Sequence, residues 1–333
     1  FQVGPQSAVS QPGPAAYGKS GDEPTVTDAN LVLGRLDKDN FLGGEMALDE
    51  SAAYSVIDKL AQSLGVETRE AAEGVLTIVN SNMANAIRAR TIQRGLDPRE
   101  FSLVAFGGAG PLHGAEVAAM LEIPEVIIPP HPGITSSTGL LTTDLMYEQF
   151  KTEFQVQGTM DLDRLRGDFE HLEHMLIQQY AREGLARSQV RLARSGDLRY
   201  VGQGYELRAE IPDGHLGAEA LDEVWRAFHQ MHKSEYGHHF PNSLIEIVNI
   251  RVTGVGEVPG IGLPSPEFGA SLDTARVKSG DCLFRVDDKL QTFETAHYRR
   301  AGLPAEVAIP GPAVILQRDT TIVVPPGWSA CAE

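Results

Sequence analysis

The sequence predicts an α/β first part, residues 1–150, followed by a strand-rich α+β second part, residues 151–333. Three observations carry that prediction. A length of 333 residues exceeds what one hydrophobic core usually organises. Residues 101–128 run strand, glycine turn, helix, strand, the unit that builds parallel sheets. After residue 150 one amphipathic helix gives way to short alternating runs bounded by Gly and Pro.

Taken in order, residues 1–25 are rich in Gly, Pro and Ser and read as loop. In DESAAYSVIDKLAQSLG, Tyr54, Ile57, Leu60, Ala61 and Leu64 recur at helical spacing, and Gly65 ends the run. A longer helix follows, with Thr68 as its expected cap and Gly95 past its end; Ala72, Val75, Val79, Met83, Ala86 and Ile87 line one side. Asn80, Asn82 and Asn85 interrupt it with amides that lower helix propensity; they face solvent, a subunit or a ligand, solvent being the ordinary case. FSLVAF reads as a short buried strand, PLHGAEVAAML as a helix and EVIIP as the next strand. In HPGITSSTGLLTTDL a further short helix is expected, capped by Ser136 or Ser137, with Leu140, Leu141 and Leu145 buried.

Beyond residue 150, Leu162, Leu165, Phe169, Leu172 and Leu176 mark a helix bounded by Gly184. Strands are then expected in QVRLARSG, LRYVGQGYELRAEIP, LIEIVNIRVTGVG, CLFRV and PAVILQRDTTIVVPPGW. One helix interrupts them, with Leu221, Val224, Trp225 and Phe228 at helical spacing.

Composition narrows the function classes. Lys and Arg total 28 against 45 Asp and Glu, a formal net charge of -17, which disfavours nucleic acid or an anionic membrane surface as a partner. Cys282 and Cys331 stand far apart without a CxxC, so no disulfide framework or cysteine zinc site is indicated, and a reducing, cytoplasmic setting is expected. No stretch reaches the roughly 18 apolar residues of a membrane span. The first residues, FQVGPQSAVSQPGPAAYG, lack an initiator Met and open inside a Gly and Pro loop, so the chain is expected to be part of something longer.

Gly107, Gly108 and Gly110, with Ala109 between, offer two jobs. They let a strand turn tightly into a helix, or they let the backbone and the helix start approach an oxygen-rich ligand. GGAG matches neither GxGxxG nor GxxxxGK[ST], and spacing alone leans towards packing. His113, in the first turn of that helix, is a phosphate or base contact or an ordinary polar residue. Asp28 is a cap, or an oxygen ligand for a cation. His229, His232, His238 and His239 form the best metal candidate by composition, but without HExxH or a carboxylate in register no metal is assigned. No GxSxG is present, and Ser136 and Ser137 have no assigned histidine. Glu73, Asp144 and Glu206 are carboxylates of the ordinary solvated or salt-bridged kind.

Several segments together resemble the A-type subunit of ATP-dependent hydantoinases and 5-oxoprolinases, related also to subunits of acetone and acetophenone carboxylases. They are VGPQSAVSQPGPAAYG, PTVTDANLVLGRLDKDNFLGG, LVAFGGAGPLHGAEVAAML, IIPPHPGITSSTGLL, RYVGQGYELRAEIP, FHQMHKSEYGH, EIVNIRVTGVG and GPAVILQRDTTIVVPPGW. The resemblance runs nearly end to end. It implies that residues 1–150 are the second half of an actin or sugar-kinase-like ATPase core and that residues 151–333 are the family's C-terminal domain. The DxGGTxxD phosphate loops of the family have no counterpart here, so this chain alone is expected not to turn over ATP.

By the same resemblance, Gly107, Gly108, Ala109 and Gly110 are the adenosine-side loop, with His113 and Asp28 beside it as cofactor-binding residues for ATP and Mg. Gly13 and Pro14 match the PGPACYG loop, and Asp28 with Asn30 matches TDAN. Two departures stand out: Val9 where the family usually has glycine, and Ala16 where it usually has cysteine. The implied activity is ATP-dependent opening of a cyclic amide such as hydantoin or 5-oxoproline, with a B-type subunit as partner. The alternatives are a fragment of an acetone or acetophenone-type carboxylase, or an assembly module docking a B-type subunit, for which the three asparagines and the helix at 161–180 are possible surfaces.

Overall fold

The structure is a computed structural model that describes residue 4 and residues 6–214, 216–260 and 267–333. The chain packs as two compact units. One comprises Phe1–Thr138 with Leu263–Glu333, and the other Gly139–Gly262.

The first unit begins with three helices: α1 (Val26–Val32), α2 (Glu50–Leu64) and α3 (Thr68–Arg90). Side-chain caps mark the starts of the first two. Thr25 and Asp28 form a capping box on α1, Asp49 accepts from the Ala52 amide at α2, and Gly65, at φ 69°, ends α2. Ala29, Leu33, Val56, Ile57, Ala72, Val75 and Leu76 close their shared core. Thr68 is not the cap expected of it: Glu67 stands in that place without a side-chain bond, and the Thr68 hydroxyl instead donates to Asp58 Oδ1 at 2.6 Å, tying α3 to α2. Ala86 is exposed rather than buried, because the apolar side of α3 runs through Ala84.

The strands β1 (Leu103–Val104) and β2 (Val126–Ile127) pair in parallel, joined by α4 (Gly110–Met120). A Cβ on Gly114 would stand 3.0 Å from Ala105 Cβ and 3.2 Å from Val126 Cγ1, so the absence of a side chain lets α4 lie close on the strands. The short helix α5 (Thr135–Thr142) buries no side chain. Leu140 and Leu141, expected inside, are 77% and 61% exposed.

The second unit is a four-stranded antiparallel sheet with two helices. Its elements are β3 (Leu145–Val156), α6 (Leu162–Arg182), β4 (Val190–Tyr200), β5 (Leu207–Ile211), α7 (Ala218–Tyr236) and β6 (Ile245–Gly256), with strand order β3-β6-β4-β5. Leu165, Phe169, Leu172, Leu176 and Tyr180 of α6 share one core with Leu221, Val224, Trp225 and Phe228 of α7 and with Ile245, Ile247, Ile250 and Val252 of β6. Strand β3 was not among the expected strands.

Residues 263–333 return to the first unit. They contribute α8 (Leu272–Ala275) and the strands β7 (Arg276–Val286), β8 (Lys289–Arg299), β9 (Ile309–Pro310), β10 (Ala313–Gln317), β11 (Thr320–Val324) and β12 (Ser329–Ala330). The main sheet runs β11-β10-β8-β7, with β10 parallel to β8. Cys282, Phe284, Val314, Leu316 and Val323 pack against Leu31, Leu36, Leu48 and Leu112, which binds this sheet to α1 and α4.

Candidate functional site

Sequence and packing place the glycine turn at the end of β1, where the chain must reverse into α4. Gly107 takes φ 84°, a left-handed conformation open to glycine at little cost, and its amide donates to Pro132 O at 2.7 Å. Gly108 and Ala109 are exposed, and an added Cβ on Gly108 would meet only Asp319 O, at 3.8 Å. Ala109 caps α4 with no side-chain bond, and Pro111 stands in the first turn. The start of α4 therefore keeps backbone amides uncapped by any side chain, beside backbone that a ligand can approach closely. The hairpin between β10 and β11 supports the turn from one side. Thr320 Oγ1 donates to Gly108 O at 2.9 Å, and Asp319 Oδ2 accepts from Gly133 N at 2.8 Å. Val104, Phe106 and Ile127 are each about half exposed at the same sheet.

His113 is buried, 5% exposed, and serves the interior of the unit rather than its surface. Its Nδ1–H donates to Asn80 Oδ1 at 2.8 Å, and Asn80 Nδ2 donates to Glu116 Oε2 at 2.7 Å. Glu116 Oε1 lies 2.8 Å from Arg35 Nη1, an ionic contact whose angle is outside a directed hydrogen bond. Arg35, with no exposed surface, donates from Nη2 to Glu73 Oε2 at 3.2 Å, and from Nε and Nη2 to Leu283 O at 3.3 and 3.2 Å. Its guanidinium also stacks on Phe284, 5.0 Å from the ring centre. Burial drives the Glu73 carboxyl up to about 6, against the pull of Arg35. Burial likewise drives the His113 imidazole down to about 4, Glu116 opposing and Arg35 adding to the shift. Of the expected asparagines, Asn80 is thus an interior hydrogen-bonding group, while Asn82 and Asn85 are exposed. Arg35 and Glu116 had no sequence signal that singled them out.

Asp28 is fully buried. Its carboxylate accepts from Ala16 N at 2.8 Å, from Thr25 N at 3.0 Å and from Thr25 Oγ1 at 2.6 Å, joining the Gly13–Gly18 loop to the start of α1. Asn30 Nδ2 donates back to Val26 O at 3.0 Å. Ala16 is fully buried in this contact. Val9 takes φ 50°, a left-handed conformation that a β-branched residue adopts only under strain.

In the second unit His229, His232 and His238 hydrogen-bond locally. Tyr200 Oη accepts from Phe240 N at 3.0 Å and lies 2.6 Å from His229 Nδ1. Buried His232 donates from Nδ1 to His238 O at 2.7 Å, and His238 Nδ1 donates to Tyr236 O at 2.9 Å. Among the described residues, no group of three His, Cys, Asp or Glu side chains is placed to hold a metal ion. Asp144 accepts from Val258 N at 3.3 Å and Glu206 pairs with Arg199 at 3.4 Å, so neither stands free as a base. Ser136 and Ser137 are exposed on α5. A groove of about 1430 Å³ runs along the other side of α4, from Pro111 and Ala119 to Ile315, Val324 and Trp328, and its lining does not include residues 107–110.

Residues 1–149 match the hydantoinase/oxoprolinase family, and residues 155–333 match the hydantoinase/oxoprolinase C-terminal domain. Caprolactamase subunit alpha of Pseudomonas jessenii is 36% identical over 98% of this chain and 48% of its own. The acetophenone carboxylase gamma subunit of Aromatoleum aromaticum is 34% identical over 98% of this chain and 46% of its own. The chain spans about half the length of the curated relatives it matches. Nucleotide-free acetone carboxylase, from work on ATP-dependent acetone carboxylation, superposes with a TM-score of 0.82 at 26% identity, covering all of this chain and 48% of that one. The ATP-dependent caprolactamase of Pseudomonas jessenii superposes at 0.80 and 33% identity, covering 99% and 48%. The fold is an α/β first region of actin or sugar-kinase-like topology followed by strand-rich α+β sheets. No helix among the described residues is long and apolar enough to cross a membrane. On these matches the chain belongs to the hydantoinase/oxoprolinase family.

Proposed function

We propose that this chain is one part of an ATP-dependent, carbonyl-activating enzyme, and that it supplies the wall against which the adenosine end of ATP rests. The observation that carries this reading is the glycine turn, whose exposed, side-chain-free backbone leads into a helix start without a side-chain cap. Gly107, Gly108, Ala109 and Gly110 make the contact. His113 and Asp28 act from behind, by holding α4 and the Gly13–Gly18 loop. Residues 1–150 are read as the second half of the ATPase core and residues 151–333 as the C-terminal domain.

When bound, ATP supplies the phosphoryl group that activates a carbonyl oxygen. This chain's residues bind and orient; Mg²⁺ would be held largely by phosphate oxygens and water, with one or two carboxylates of the assembled enzyme. Carboxylation of a small ketone is the first reading for the assembled enzyme, on the likeness to a carboxylase subunit in sequence and to acetone carboxylase in backbone. Opening of a cyclic amide is the second reading, favoured by the likeness to caprolactamase. A B-type subunit is the proposed partner, since both relatives named above are subunits.

The test is ADP release by the complete A-type subunit assembled with its partner. Release that requires bicarbonate together with acetone or acetophenone supports carboxylation. Release with hydantoin, 5-oxoproline or a lactam, independent of bicarbonate, moves the assignment to ring opening, and no ATP-dependent turnover of either kind contradicts both.

A further inference from the structure

Helix α4 begins without a side-chain cap, so its first turn, which carries the glycine loop, must be fixed from below. The fixing is unusual for its burial. Arg35 and Glu73 are almost wholly out of water, Asn80 is 1% exposed and His113 5%, and the chain His113–Asn80–Glu116–Arg35–Glu73 reaches from α4 through α3 to the segment after α1. The carbonyl of Leu283 on β7 accepts from the same guanidinium, and Arg285 and Glu70 approach the far end at Glu73 and Arg285 respectively. Charges taken out of water are expensive to hold and are retained where they define one arrangement.

Asn80 occupies the middle of this chain, and its two ends are not interchangeable. Nδ2 must face the Glu116 carboxylate, which only accepts; Oδ1 must therefore face the imidazole, which only a protonated Nδ1 can satisfy. One ring tautomer follows, with Nε2 left as the acceptor nitrogen. Removing the amide frees both the ring and the tautomer, one turn from the nucleotide loop.

We propose that Asn80 is a positioning residue for the nucleotide-side turn, acting through the tautomer and orientation of His113. This rests on the nucleotide reading of Gly107–Gly110 given above. In the full-length subunit, long-range proton–nitrogen NMR should show His113 as a neutral Nδ1–H ring. ATP affinity, read by calorimetry, should fall at least fivefold in Asn80→Ala, and by less than twofold when the same change is made in a His113→Gln background. Asn80→Asp, of nearly the same shape, keeps an acceptor for Nδ1–H while setting a second carboxylate against Glu116, so it raises the His113 titration midpoint by more than one pH unit and leaves ATP affinity within twofold of the parent; thermal melting of each variant separates these effects from loss of folding. Equal losses in both backgrounds, or altered His113 resonances with unchanged ATP affinity in Asn80→Ala, overturn the proposal. Absence of ATP binding by the unaltered subunit overturns the nucleotide reading itself, and with it the role given to Asn80; the ring resonances then report on the hydrogen bond alone.

Discussion

Asn80 Oδ1 accepts from Nδ1 of His113 at 2.8 Å, joining the third helix to the first turn of the helix that carries the glycine loop. The bond lies at one end of a buried charge cluster, and the cluster gives the protein a specific response to acid. Glu73 is raised from 4.5 to about 6, so its contribution to stability is complete below pH 4.5 and lost as pH rises through about 6. His113 is lowered from 6.5 to about 4, so its contribution is present above pH 6.5 and lost as pH falls through about 4. The two oppose each other, about 2 kcal/mol against about 3 kcal/mol by the conversion of pKa shift into free energy. Urea unfolding of the protein and of His113→Gln at pH 7 and pH 4 should show the difference between them move by about 3 kcal/mol in favour of the variant. A difference that stays constant with pH contradicts a buried neutral His113.

Asp28 holds two amides and a hydroxyl at once. Asp28→Ala leaves the buried Ala16 amide without its acceptor and should destabilise by about 2–3 kcal/mol, the range for lost bonds to a charged group. Thermal melting checks this, and a loss below about 0.5 kcal/mol denies the carboxylate its capping role.

Glycines in two helices make a paired prediction. Gly74 in α3 has open space where a Cβ would stand, so Gly74→Ala should stabilise by about 1 kcal/mol through helix propensity. Gly114 in α4 has Ala105 and Val126 within 3.2 Å of that position, so Gly114→Ala should instead destabilise by about 1–2 kcal/mol through overpacking. Shifts of the same sign in both contradict the close approach of α4 to the strands.

Val9 is 66% exposed and left-handed, so Val9→Gly removes strain and little buried surface. A gain of about 1 kcal/mol in unfolding free energy is expected, and no gain means the backbone is unstrained.

Much of the fold was legible in the sequence. The stripes Leu165, Phe169, Leu172, Leu176 and Leu221, Val224, Trp225, Phe228 face one core as read, because long helices average out local exceptions. Strand β3 escaped because it is apolar on both sides: Leu145 and Tyr147 turn inward while Met146, Phe150 and Phe154 are exposed, which blurs the alternation that marks a strand. Leu140 and Leu141 were misplaced because a short helix of apolar residues does not declare what covers it. The buried cluster was not read as one: Glu73 was expected to be an ordinary solvated or salt-bridged carboxylate and Asn80 ordinarily to face solvent, whereas both are buried. Glu73, Leu76 and Asn80 fall on one side of α3 among apolar neighbours, a local sign of buried polarity, but Arg35 and Glu116 join them only through tertiary folding.

Gly108 offers the most direct test of the nucleotide wall. Its backbone is not left-handed, and an added Cβ there meets nothing nearer than Asp319 O at 3.8 Å, so neither backbone conformation nor a Cβ contact demands glycine. Gly108→Val in the full-length subunit should leave the melting temperature within a few degrees of the parent, yet raise the ATP dissociation constant at least tenfold by filling the space the ligand uses, a loss of about 1.4 kcal/mol or more. Unchanged ATP affinity in a folded Gly108→Val subunit contradicts the assignment of this turn to the nucleotide.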